Sequence, residues 1–296
     1  MRQGRRRKPA PMKTVHLHIG LPKTATTLIQ NSMFAAPEIL GRLDIGYLQF
    51  GTDVFGDRGH HILVQGILGK RGKRIRARTT DAEIEAAWPA ALAEIEASPA
   101  KNIFISSELF SFAIIDPADI EAVRERLKDY DVNVVLMLRD VADFVDSVYA
   151  QRLKGGFEGT VDDFIAQNWG NLHWRNLAQR WGRVFGRRNM TILDFGELRN
   201  GNLVDNFVSK TFGINLPGET FPSDVANPAL PYYAAQMIRE VNASDIPNAV
   251  KTQFRIHVRD FFGEHGAKGT FRKAKFLSDD SRTILRQYCE WPAMNK

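Results

Sequence analysis

The chain of 296 residues contains one cysteine, Cys289. No intrachain disulfide can form, which excludes a disulfide-built secreted scaffold and makes a reducing cytosol (a cytoplasmic location) the simplest expectation. Long apolar runs are absent. None approaches the ~18 residues needed to span a bilayer, and the Arg-rich stretch from Met1 to Pro9 has no apolar segment behind it, so neither a membrane span nor a signal peptide is expected. With one Cys, no His-x-x-x-His pair and no acidic cluster at ligand spacing, no metal site is expected either. There is no fixed-period repeat. An excess of one charge sign is also missing from the body of the chain. The net charge is +6, but Arg2, Arg5, Arg6, Arg7 and Lys8 supply five of those charges, which assigns the basic character to residues 1–13, read as a disordered tail. A near-neutral body gives no reason to expect a specific nucleic-acid partner.

What the chain does contain is average for a folded soluble protein: 44% hydrophobic and 25% charged residues. Residues 14–296 read as a single domain. Residues 14 to 19 place Val15, Leu17 and Ile19 at period two, and a Gly-Leu-Pro turn follows, which predicts a strand and a tight loop. Helical spacing of Leu28, Ile29, Met33 and Phe34 then predicts a helix from Thr26 to Ala36, closed by Pro37. Further β-rich runs, Asn102 to Ser106, Val132 to Leu138 and Met190 to Phe195, are each followed by helical periodicity. This alternation predicts an α/β fold, with a P-loop-like central, mostly parallel sheet of four or five strands and helices on both faces. Thr80 with Glu83 forms a capping box, and Asp116-Pro117 marks another helix start. Pro89 should kink or divide the helix of Asp81 to Ala97. The stripes Val141/Phe144/Val145/Val148, Trp174/Leu177/Ala178/Trp181 and Leu203/Val204/Phe207/Val208 read as core faces. Gly41 to Lys73 and Asn215 to Pro231 resist the pattern and read as long loops.

The sharpest chemical signal is Gly20-Leu21-Pro22-Lys23-Thr24-Ala25-Thr26-Thr27, set between a strand and a helix. Successive backbone N–H groups at a helix start can cradle an anion. Lys23 adds positive charge and the threonines add hydroxyl donors. A Walker A loop requires Gly-Lys-Ser/Thr after Gly-x-x-x-x, whereas Ala25, Thr26 and Thr27 stand there and the lysine comes three residues early.

The loop resembles the 5′-phosphosulfate loop of sulfotransferases that use 3′-phosphoadenosine 5′-phosphosulfate (PAPS). A second family element, an Arg ending a later strand with a Ser eight residues on, is matched by Arg139 and Ser147. The likeness extends through Trp181 to Gly186 and Phe195-Gly196-Glu197-Leu198 and covers roughly residues 14–213. It implies that Pro22, Lys23, Thr24, Ala25, Thr26 and Thr27 bind the 5′-phosphosulfate, that Arg139 and Ser147 hold the 3′-phosphate, and that PAP (adenosine 3′,5′-bisphosphate) is released. In cytosolic members a Gly- and Lys-rich segment near the C-terminus closes over the nucleotide, and Gly266 to Lys273 is the candidate counterpart. The resemblance implies sulfuryl transfer to a hydroxyl or amine of a carbohydrate, glycolipid or small-metabolite acceptor.

Transfer needs a base to take the acceptor's proton. In sulfotransferases this base is commonly a His or Glu, and cytosolic members place their His just after the strand equivalent to Asn102 to Ser106, where this chain has Ser106-Ser107-Glu108. Glu108 is therefore the candidate base, with His60 or His61 as the alternative, since an imidazole titrates in the useful range untuned. His16 and His18 alternate with the apolar face of the first strand and read as neutral structural histidines, His18 lying close enough to the loop to contact a ligand. Two other readings remain open at this stage: a P-loop kinase or NTPase, and a non-catalytic module that binds nucleotides or polyanions.

Overall fold

The structure, a computed structural model, describes residues 12–52, 58–71, 79–216, 218, 220–222, 230–266 and 273–290. The Arg-rich residues 2–8 lie outside them. Within the described residues, five strands form one parallel sheet: β1 (Thr14–His18), β2 (Ile45–Tyr47), β3 (Asn102–Ser106), β4 (Asp131–Leu138) and β5 (Met190–Asp194), in the order β2-β3-β1-β4-β5. Val15 pairs with Ile103 on one side and Val132 on the other, so β1 is the central strand.

Period-two alternation sorts the core into two layers. Val15, Leu17, Ile103, Ile105, Val134 and Leu136 face one layer, while Phe104, Val135, Met137 and Leu193 face the other. The second layer is covered by α1 (Thr26–Ala35), α2 (Pro37–Arg42) and the later α11. The first is covered by α3 (His61–Leu68), α4 (Asp81–Ala97), α5 (Leu109–Ala113), α6 (Pro117–Arg126), α7 (Val141–Lys154), α8 (Val161–Asn168) and α9 (Trp174–Phe185). A short α10 (Phe195–Leu198) leads from β5 into α11 (Leu203–Phe212), and α12 (Tyr232–Ala243), α13 (Asn248–Gly266) and α14 (Asp279–Cys289) return to the first layer. The fold is α/β with helices on both faces, as the alternation of runs predicts. No helix among the described residues is long and apolar enough to cross a membrane.

Local chemistry explains most boundaries. Thr80 caps α4 by accepting from Glu83 N while the Glu83 carboxylate accepts from Thr80 N, and Asp116 caps α6 ahead of Pro117. The predicted tryptophan stripe of α9 is core: Trp174 and Trp181 are fully buried. Two expectations need correction. Pro89 does not divide its segment, because α4 runs unbroken from Asp81 to Ala97. Ile84, Ala87, Trp88, Ala91 and Ile95 form one buried stripe spanning the proline, and Trp88 Nε1 donates to Leu63 O at 3.0 Å, so packing against α3 outweighs the ~3 kcal/mol that an interior proline costs. Nor is Gly41 to Lys73 simply a loop, since it holds the edge strand β2 and helix α3. Residues 53–57 and 72–78, together with most of 223–231, lie outside the described residues.

Candidate functional site

The connections leaving β1 run toward β2 and β3 on one side, and the chain later crosses to β4 and β5 on the other. The carboxyl ends of β1 and β4 therefore flank the point where the winding reverses, which is where open parallel sheets form a ligand crevice. The Gly20–Thr27 loop leaves β1 and Arg139 follows β4, so the sequence elements singled out above meet there.

The loop has an unusual backbone. Lys23 and Ala25 sit at φ 66° and 58°, in the left-handed region that non-glycine residues rarely enter. Alternating handedness turns successive N–H groups toward one centre. α1 begins at Thr26 with Ala25 as an N-cap that offers no side-chain acceptor. Among the described residues, no acceptor takes up the amides of Lys23 to Thr27. The threonines divide their labour. Thr24 Oγ1 is buried and donates to Leu21 O at 2.6 Å, and Thr26 Oγ1 reaches the same carbonyl at 3.3 Å, so both hydroxyls brace the loop, while Thr27 is exposed. Gly20 is required beneath them, because a Cβ there would lie 2.7 Å from His18 Nε2.

Arg139 connects the two strand ends. Its Nη1 donates to Lys23 O at 2.9 Å and to Ser147 Oγ at 3.2 Å. Trp174 Nε1 donates to Arg139 O at 2.8 Å and fixes the backbone. A third group, Lys273, was reachable in sequence only as the last residue of the Gly- and Lys-rich segment. Its Nζ donates to Ser147 Oγ at 2.6 Å; residues 267–272 of that segment lie outside the described ones. Asp146, the residue before Ser147, supplies the anchor: its Oδ1 accepts from Phe276 N at 2.8 Å and its Oδ2 from Arg282 Nη2 at 2.6 Å. This buried pair is what brings the segment of Lys273 onto α7, and no short sequence motif announces it.

The cations at the crevice repel one another. Burial pushes the Lys273 amine down to about 8, helped by Arg139 and Lys23 and opposed by Asp143 and Asp146. Partial burial of the amine, then the charges of Lys154 and Arg139, hold Lys23 below the ordinary lysine value, while the Glu108 carboxylate raises it. Neither Arg139 nor Lys273 has an ion-pair partner among the described residues. Such a concentration of positive charge and open amides suits a polyanionic ligand.

Glu108 stands after β3 at the N-cap of α5, close enough to Lys23 to act on its charge. Its Oε2 is buried and has no hydrogen-bond partner. The rival histidines are placed otherwise. His60 is fully buried with both ring nitrogens on backbone: Ser106 N donates to Nδ1 at 2.9 Å, and Nε2 lies 2.7 Å from Leu48 O. Nδ1 also lies 3.1 Å from Ser106 O, so backbone atoms on both sides hold the ring as a structural bridge. His61 is also buried, with Nδ1 2.6 Å from Ser107 Oγ, and begins α3 rather than lying in a loop. Burial lowers the pKa of His16 and pushes that of His18 down to about 3; His18 Nδ1 lies 2.9 Å from Ser106 Oγ, while its buried Nε2 has no hydrogen-bond partner. His18 is sealed between Phe104 and Phe207, so it supports the loop from below and does not face the crevice.

No protein-family model matches the chain, and no curated protein matches it. Among solved structures, it is similar to a sulfotransferase from Alicyclobacillus acidocaldarius, with a TM-score of 0.44 and 12% identity over 94% of this chain and 99% of that one. It is also similar to the sulfotransferase domain of the Synechococcus PCC 7002 olefin synthase, with a TM-score of 0.41 and 12% identity over 88% of this chain and 98% of that one.

Proposed function

We propose that the protein is a PAPS-dependent sulfotransferase, moving a sulfuryl group to a hydroxyl or amine of a carbohydrate, glycolipid or small-metabolite acceptor and releasing PAP. The observation that carries this reading is the clasp on Ser147: one hydroxyl receives both Arg139 and Lys273, while the same guanidinium holds the carbonyl of Lys23 in the phosphate-type loop. Two anion sites are thereby linked at a fixed spacing, as a nucleotide with phosphate groups at both its 3′ and 5′ positions requires. A nucleotide phosphorylated at the 5′ position alone would leave one of them empty.

In this mechanism the open amides of Lys23 to Thr27 and the Lys23 ammonium bind the 5′-phosphosulfate. They also stabilise the charge that develops on the bridging oxygen as the sulfuryl group leaves in line. Arg139, Ser147 and Lys273 hold the 3′-phosphate. Ser147, already accepting two hydrogen bonds, keeps its own proton to donate. Glu108 takes the acceptor's proton, and its unpaired buried oxygen is the atom poised to do so.

The test is product formation. PAPS incubated with the protein and a panel of hydroxyl and amine acceptors should yield PAP and a sulfated product in equal amounts, with Lys23→Ala slower by orders of magnitude. Hydrolysis of ATP·Mg²⁺ with no sulfuryl transfer would instead support the kinase or NTPase reading.

A further inference from the structure

Glu108 is bracketed by two buried serines, Ser107 and Ser111, at the end of β3 and in the first turn of α5. Ser107 N donates to His18 O at 3.0 Å, which carries the pairing of β1 with β3 one bond past His18 and Ser106. Ser107 Oγ accepts from Leu109 N at 3.2 Å and lies 2.6 Å from His61 Nδ1. These contacts hold the strand end and the start of the helix, and none of them reaches the phosphate loop. Ser111 does reach it. Its Oγ donates to Glu108 O at 2.9 Å and to Gly20 O at 2.6 Å.

The first of these bonds is ordinary, because a helical serine often returns its hydroxyl to a carbonyl three or four residues back. The second spans 91 positions in the sequence and is the shorter. The Gly20 carbonyl belongs to the first peptide of the loop. Farther along, Leu21 O takes its donors from Thr24 and Thr26 within the loop, and Lys23 O takes its donor from Arg139. Gly20 O takes its donor from the helix that begins at Glu108. Among the described residues this is the one hydrogen bond between α5 and Gly20–Thr27. Ser111 is 6% exposed, so bulk water does not make good the bond if it is lost. One hydroxyl therefore ties the backbone of the candidate base to the backbone of the loop that would hold the reacting sulfuryl group.

We propose that Ser111 is a positioning residue for sulfuryl transfer: it acts through Glu108, fixing that carboxylate relative to the phosphate loop. The inference rests on the sulfotransferase reading and on Glu108 as the base. Its test is a double-mutant cycle on the full chain, with single-turnover transfer from PAPS to whichever member of the hydroxyl and amine panel the wild type sulfates, and with calorimetric PAP affinity for each variant. Ser111→Ala should slow transfer at least about tenfold, since a misplacement of ~1 Å at a reacting group can cost about 10²-fold. Its PAP dissociation constant should stay within about twofold of wild type, which also shows that the variant is folded. Added to Glu108→Gln, Ser111→Ala should slow transfer by less than about twofold more, because a residue that acts through another has nothing left to act on. A loss below tenfold in the single variant, or a loss as large in the Glu108→Gln background, overturns the proposal. Weakened PAP binding in Ser111→Ala overturns it too, because the serine would then build the loop and not place the base. Normal transfer by Glu108→Gln overturns it while the sulfotransferase reading stands. Failure of the wild type to bind PAP, or to sulfate any member of the panel, overturns both.

Discussion

Lys273 offers a pH experiment that reads the 3′-phosphate site alone. Its amine is pushed down to about 8 by burial and by neighbouring positive charge, and a phosphate accepting from Nζ must raise that value again. Binding therefore takes up a proton, so affinity is full below pH 8 and falls as pH rises through 8. If only the protonated amine binds, the dissociation constant for PAP should rise about 30-fold between pH 7 and pH 9.5, or ~2 kcal/mol. Adenosine 5′-monophosphate lacks the 3′-phosphate and should show a much flatter profile, which also corrects for Lys23, whose pKa is lowered too. Lys273→Arg keeps its charge throughout and should flatten the PAP curve. Calorimetry at four pH values measures all three. Parallel profiles for PAP and the monophosphate, or a Lys273→Arg variant that keeps the slope, would refute the assignment of Lys273 to the 3′-phosphate.

Other outcomes follow from single residues. Glu108→Gln should lower sulfuryl transfer by roughly 10²- to 10⁴-fold, the usual worth of a general base, with PAP affinity unchanged; normal turnover would remove Glu108 from the mechanism. Ala25→Gly should raise stability by up to ~1 kcal/mol in urea unfolding, because glycine adopts φ 58° without the Cβ clash; no gain would mean the loop is not strained there. Glu290 is buried and its carboxyl is raised to about 7 from 4.5, chiefly by desolvation. The folded state holds this proton more tightly than the unfolded one, so the contribution to stability is complete below pH 4.5 and is lost as pH rises through 7, by at most ~3 kcal/mol. Glu290→Gln should flatten unfolding free energy over that window, and an unchanged slope would place the titration elsewhere.

The sequence made four of the five strands legible because each is a β-rich run bounded by turn residues. The loop Gly20 to Thr27 and the Arg139/Ser147 pair were equally visible, since both are local patterns that sit where strands end. β2 escaped because Ile45-Gly46-Tyr47 is too short to show a period. α3 escaped because five of its eight residues are buried, which leaves no polar face to alternate with the apolar one. The burial of His60 and His61 was not legible because their partners Ser106 and Ser107 each lie 46 residues away. Lys273 acquired its place through Asp146 and Arg282, 136 residues apart, a tertiary link that no motif encodes.

The central claim is that the crevice binds a nucleotide phosphorylated at both ends. The most direct measurement is a thermal-shift titration with PAP, compared with adenosine 5′-monophosphate and ATP·Mg²⁺ and repeated on Arg139→Ala. A ligand that binds only the folded state must stabilise it by mass action. The account predicts stabilisation by PAP well above that by the other two, lost in Arg139→Ala; no shift with PAP, or a stronger shift with ATP·Mg²⁺, would contradict it.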